Sequence, residues 1–138
     1  MPAEQGFSEV AHTADLALKI DGQTISELFV HAAKGTAWLT RCDHSPDSRP
    51  EQHELTLQSP DIESLLVSWL NELLYLIFER HLLPEAYKLH ELTPFSLRAT
   101  VSGVTPCKAR REVKAATFHD LVVSETPSGY QAVVVFDI

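Results

Sequence analysis

The segment from Ser59 to Ile77 constrains the fold more than any other. Ser59-Pro60 reads as an N-cap residue followed by proline at the first helical position. Asp61 and Glu63 place negative charge near the positive end of the helix dipole. Ile62, Leu65, Leu66, Trp69, Leu70, Leu73, Leu74 and Ile77 then recur at helical spacing and make a wide apolar face. A face that broad has to lie against another layer of structure. Pro84 ends any continuation.

A second helix starts at Thr24. Thr24-Ile25-Ser26-Glu27 is a capping box, in which the hydroxyl and the carboxylate satisfy each other's free backbone N–H groups. Ile25, Leu28, Phe29, Ala32, Ala33 and Ala37 follow at helical spacing.

The rest of the chain reads as strands and turns. Leu16 to Ile20 closes on the turn Asp21-Gly22, and Leu55 and Leu57 alternate with polar neighbours. Phe95 to Val101 alternates until Ser102-Gly103 breaks it, and Glu112 to Phe118 alternates as well. Leu121-Val122-Val123 leads into the turn Pro127-Ser128-Gly129, and Tyr130 to Ile138 returns as a hairpin partner. Val133-Val134-Val135-Phe136 is apolar on both faces, which predicts a central strand covered on both sides. The stretch from Thr40 to Gln52, with two prolines and many charges, is expected to be a surface loop. The expected fold is α+β: a mostly antiparallel, mixed sheet packed with two main α-helices, in one domain over residues 1–138.

Charge narrows the function. Eleven basic residues stand against nineteen acidic ones, a net charge of −8. Nucleic-acid binding is driven by Lys and Arg neutralising phosphate, so little or no direct nucleic-acid binding is expected. An acidic surface suits a basic protein partner or a metal ion. Cys42 and Cys107 belong to no CxxC pair, which argues against a disulfide framework or a thiolate zinc site and makes the cytoplasm the expected compartment. No signal peptide is expected, and the apolar stretch from Leu65 to Phe78 is too short and too polar for a membrane span.

Phosphate loops, HExxH and GxSxG are absent, which argues against a stand-alone enzyme of a motif-bearing class. Three places carry polar groups where order is expected. Asp15, in His12-Thr13-Ala14-Asp15, stands at the start of a strand, where its simplest role is to satisfy a turn. Asp137 follows an apolar run and sits one residue from the Ile138 carboxylate. If the first and last strands are neighbours, Asp15 adds a third oxygen donor, a set that suits Ca²⁺, Mg²⁺ or Mn²⁺ rather than zinc. The plain alternative is a chain end that frays in solvent. Glu112 and Lys114 share one strand face, either as a solvated pair or as a site for an anion. His119, after an expected strand end, reads by itself as a surface or structural histidine.

Taken together the chain resembles the archease family. The resemblance is carried by His12-Thr13-Ala14-Asp15, the helical segment Ile25 to Ala37, Leu66-Val67-Ser68-Trp69-Leu70-Asn71-Glu72-Leu73-Leu74-Tyr75, Glu112-Val113-Lys114-Ala115 with Thr117 and His119, and Val134-Val135-Phe136-Asp137-Ile138. Thr40 to Gln52 carries no family signature. The resemblance implies a divalent metal, Ca²⁺ foremost with Mn²⁺ or Mg²⁺ as alternatives, held by Asp15, Asp137 and Ile138. It adds Lys114 to the same functional cluster, with His12, Glu112 and His119 as outer residues. It further implies a protein cofactor, not an enzyme, that promotes guanylylation and repeated turnover of an RtcB-type RNA ligase in tRNA splicing or RNA repair. The alternatives are a chaperone-like modulator of a tRNA methyltransferase and a stand-alone metal-dependent hydrolase.

Overall fold

A computed structural model describes residues 5–10 and 15–138. In chain order its elements are β1 (Phe7–Val10), β2 (Leu16–Gly22), α1 (Ile25–Thr40), β3 (Cys42–Gln58), α2 (Ile62–Phe78), β4 (Leu83–Leu92), β5 (Ser96–Ala109), β6 (Ala115–Ala116), β7 (Ser124–Thr126) and β8 (Gly129–Asp137).

Both helices form where the apolar spacing placed them, but their first turns differ in detail. At α1 the Thr24 hydroxyl accepts from the Glu27 N–H at 3.0 Å, whereas the Glu27 carboxylate reaches back to the Gln23 N–H at 2.9 Å. The box therefore closes one residue earlier than a reciprocal pair would. Helix α2 is capped by Asp61 rather than Ser59. The Asp61 carboxylate accepts the Ser64 N–H at 2.7 Å, and this bond holds its carboxyl below the usual carboxylate range. Ser59 donates its own N–H to the Phe95 carbonyl and stays with the sheet. A charged acceptor facing the positive helix end outcompetes a hydroxyl two residues earlier.

The strands form two sheets, and every strand pair is antiparallel. One has the order β1-β2-β8-β6, with β7 also pairing to β8; the other has the order β3-β5-β4. Leu18, Ile20, Val134 and Phe136 of the first sheet share one apolar cluster with Leu97, Ala99 and Val101 of the second. Between them pack Leu28, Phe29, Leu65, Leu66, Leu70 and Leu73 of the helices. The buried Trp69 ties the helices together by donating its indole N–H to the Phe29 carbonyl at 2.9 Å. The α+β class and the antiparallel pairing are as the sequence predicts.

Strand β8 is central, between β2 on one side and β6 and β7 on the other. Val134 and Phe136 face the main core, Val135 is buried outside it, and Val133 is half-exposed. Coverage on both faces is thus confined to the end of the strand near Asp137.

Five expectations need correction. Residues 42–58 form a long strand, not a loop through Gln52. β3 lies at a sheet edge; its register shifts between His44 and Arg49, an unpaired stretch that contains Pro46, and Pro50 is back in the ladder opposite Val104. β5 continues through Ser102-Gly103, because Gly103 lets the Leu83 carbonyl of β4 approach closely. Of Glu112 to Phe118 only Ala115–Ala116 pairs as strand, and the strand before the last turn is Ser124–Thr126 rather than Leu121 to Val123. Finally, Cys42 and Cys107 form a disulfide with Cα atoms 6.1 Å apart. They lie 65 residues apart in sequence, yet antiparallel pairing of β3 and β5 sets His44 opposite Cys107 and brings the sulfurs together. The expectation of a cytoplasmic chain loses the support it drew from unpaired cysteines. Among the described residues no helix is long and apolar enough to cross a membrane.

Candidate functional site

The last residues of β8 sit between two neighbours. On one side β2 pairs with it in the register Leu16↔Phe136 and Ala17↔Val135. That ladder ends at Leu16, the residue after Asp15, and Phe136, the residue before Asp137. On the other side Ala115 pairs with Asp137 and Ala116 with Phe136. The Lys114 N–H donates to the Asp137 carbonyl at 2.8 Å, which carries the contact on toward Ile138.

Directly opposed residues in antiparallel strands point to the same face. Asp137 and Ala115 therefore form one row. Leu16, Phe136 and Ala116 form the next row, and Phe136 and Ala116 are buried in the core. This inner row fixes the outer one, because slipping β8 by a residue would turn Phe136 out and Asp137 in. Asp15 is half-buried, and Asp137 and Ile138 are exposed. Two carboxylates near each other repel, and a cation between them reverses the sign.

Lys114 and Glu112 are both exposed, with buried Val113 between them. They line a groove of about 500 Å³ together with Asn71, Tyr75, Phe78 and Glu79. From sequence Asn71 falls off the main apolar face and reads as a solvated residue unless it borders a cleft, and here it borders one. It donates to the Ala116 carbonyl at 3.3 Å and accepts the Ala116 N–H at 2.8 Å. In this way α2 clamps the short strand that follows Lys114. The available signal was a helix residue with one donor and one acceptor just beside the apolar stripe.

His119 lies on a turn that Thr117 anchors beside β8: the Thr117 N–H and hydroxyl both donate to the Val135 carbonyl at 2.9 Å. Its imidazole is exposed, 3.3 Å from the Asp120 carboxylate. His12 lies outside the described residues. Among the described residues no three His, Cys, Asp or Glu side chains group as a metal centre. Asp15 immediately precedes β2 and Asp137 ends β8, the two strands that pair at Leu16 and Phe136.

Comparison with known proteins decides the family. The model of the Archease protein family matches residues 7–138. The chain belongs to the archease family. An archease of Methanosarcina mazei is 33% identical over 100% of both chains, and one of Archaeoglobus fulgidus is 30% identical over 94% of this chain and 96% of its own. Among solved structures, protein 1598 of Methanobacterium thermoautotrophicum covers 97% of this chain and 99% of its own, with a TM-score of 0.68 and 25% identity. The structure of an archease, possible chaperone, from Thermotoga maritima superposes with a TM-score of 0.67 over 95% and 96%, at 21% identity, a likeness of fold. In this archease the matched span takes in Asp15, Lys114, Asp137 and Ile138, while His12 falls within the span but outside the described structure.

Proposed function

We propose that this archease is a protein cofactor of an RtcB-type RNA ligase, promoting guanylylation of the ligase and its multiple turnover in tRNA splicing or RNA repair. The observation that supports the reading is the pairing of β2 with β8, whose last pair, Leu16 with Phe136, adjoins Asp15 and Asp137, next to the hydrogen bond from the Lys114 N–H to the Asp137 carbonyl. The reading draws further on membership of the family, whose resemblance implies this role.

The residues fit a hard divalent cation. Asp15 and Asp137 offer carboxylate oxygens from adjacent strands, and the main-chain carboxylate of Ile138 would be the third donor. An all-oxygen set of this kind suits Ca²⁺, with Mn²⁺ or Mg²⁺ as alternatives, and excludes the thiolate and imidazole chemistry of structural zinc. When bound, the ion supplies positive charge between the two carboxylates and coordination positions for a partner's oxygens.

The protein's own groups do the rest. β8 holds Asp137 at the end of a strand whose previous residue, Phe136, is fully buried, so the carboxylate is presented from a rigid base. Asn71 holds Ala116, and through it the main chain of Lys114, leaving the ammonium to reach an anionic group of the partner. The acidic tip suits entry into a basic active site.

The test is guanylylation and multiple-turnover ligation by the cognate ligase. Wild type should accelerate both, and Asp15→Ala, Asp137→Ala and Lys114→Ala should each lose most of the stimulation while remaining folded. Full stimulation by all three variants would remove the tip from the mechanism. Phosphate-ester turnover by this chain alone, lost in Asp15→Ala, would instead make it a hydrolase.

A further inference from the structure

A second surface has the opposite chemistry. Where the end of α1 meets the start of β3 and the Arg110 segment, a groove of about 790 Å³ is lined by Phe7, Lys34, Trp38, Arg41, Asp43 and Arg110 among others. Three cations face a single carboxylate there, although the chain as a whole carries −8. The carboxylate is already engaged, since Asp43 accepts from the Arg110 guanidinium. By contrast, the groove beside Lys114 sets Glu79 and Glu112 against one lysine.

The cations stand on an anchored main chain. Arg41 closes α1 in the left-handed conformation (φ 52), its N–H bonded to the Trp38 carbonyl at 3.1 Å. Arg110 and Arg111 both donate their N–H groups to the Thr40 carbonyl at 3.0 Å, which binds the β5 exit to the same helix end. Arg111 also reaches Glu9 of β1 at 3.4 Å.

Aromatic planes complete the groove. Trp38 is 42% exposed, with the Arg41 guanidinium over its ring at 5.0 Å and the Phe7 ring tilted against it at 5.8 Å. The other tryptophan, Trp69, is fully buried with its N–H satisfied, so it has a structural role that Trp38 lacks.

We propose that this groove binds a nucleoside phosphate, the base layered on the Trp38–Arg41 stack and the phosphate held by Lys34, with Arg110 fixed beside it by its pairing to Asp43. Flat aromatic and guanidinium surfaces recognise the face of any base, and neighbouring cations recognise its phosphate. An acidic peptide would use the cations and leave the planes idle. The low nucleic-acid affinity expected from net charge describes the average surface, whereas binding depends on the local field. The inference is independent of the Asp15–Asp137 tip.

The experiment measures binding in EDTA, so that no metal at the tip contributes. One arm uses a fluorescein-labelled oligouridylate read by anisotropy, the other GTP and ATP read by calorimetry. Wild type should bind at low salt and weaken as salt rises. Lys34→Ala and Arg41→Ala should each weaken binding about 3- to 10-fold, and Trp38→Ala about 5- to 50-fold, in line with the loss of one stacking plane. Trp38→Phe, which keeps a ring, should recover most of the loss, and Lys88→Ala on β4 should change nothing. Binding of the RNA alone identifies a strand as the source, and equal binding of free nucleotide identifies the nucleotide; both support the proposal. No binding of either probe at low salt overturns it, as does binding unchanged in all three alanine variants. It is also overturned if a glutamate-rich peptide displaces the probes and its own binding ignores Trp38→Ala, since the groove is then a site for acidic protein segments.

Discussion

Asn71 and Ala116 are joined by two hydrogen bonds, one in each direction, so a helix side chain takes the place that a neighbouring strand would fill at the edge of the sheet. Both main-chain groups of Ala116 are served by one amide. Asn71→Ala leaves them without that partner in a part-buried position, at a cost of about 1–3 kcal/mol. Urea denaturation measures this directly. The same variant should stimulate the ligase less than its residual stability explains, because the segment bearing Lys114 is no longer held by α2. Unchanged stability would mean the clamp contributes nothing.

Gly103 gives a second test. A Cβ there would lie 1.9 Å from the Leu83 carbonyl oxygen, which is backbone of β4 and cannot rotate away. Gly103→Ala should therefore destabilise by about 1–3 kcal/mol, the range for overpacking, and should push β4 off β5. Denaturation together with amide exchange of β4 checks both parts.

The Cys42–Cys107 disulfide closes a span of 65 residues. Constraining the unfolded chain over such a loop stabilises by about 2–4 kcal/mol. A reductant, or the Cys42→Ser and Cys107→Ser pair, should lower the denaturation midpoint accordingly. Mass spectrometry of the untreated protein should find no free thiol.

Tyr87 sets an alkaline limit. Burial pushes its phenol well above the ordinary value of 10.0, since the charged form would be desolvated beside the Ala33 carbonyl it bonds. The folded pKa is higher than the unfolded one. The stability tied to this group is therefore complete below the unfolded pKa and is lost as pH climbs from there through the folded value. Stability measured above pH 10.0 should fall in wild type and fall less in Tyr87→Phe. In a phenolate titration Tyr87 should ionise well above pH 10.0.

Periodicity revealed what periodicity controls. The apolar spacing of Leu65 to Ile77 and the double-sided run at Val133 to Phe136 each had one good solution, a helix on a sheet and a central strand. The pairing of the first and last long strands was conditional in the sequence, because nothing local encodes which strands are neighbours. The strand through Pro46 and Pro50 was illegible because prolines and charges mark loops on average, and only the edge position of β3 and its register shift make them compatible with a ladder. Gly103 misled in the same way: glycine signals a break unless another backbone needs the space. Strand β4 went unseen because Pro84 was read only as a helix stop. The disulfide could not be read from spacing, since it depends on the β3–β5 register.

The account rests on carboxylates from two strands sharing one cation, and paramagnetic broadening of amide resonances by substoichiometric Mn²⁺ tests this most directly. The amides of Leu16, Ala115 and Asp137 should broaden first, Ca²⁺ should reverse the effect by competition, and Asp137→Asn should abolish it. Broadening centred elsewhere, or persisting unchanged in Asp137→Asn, would contradict it.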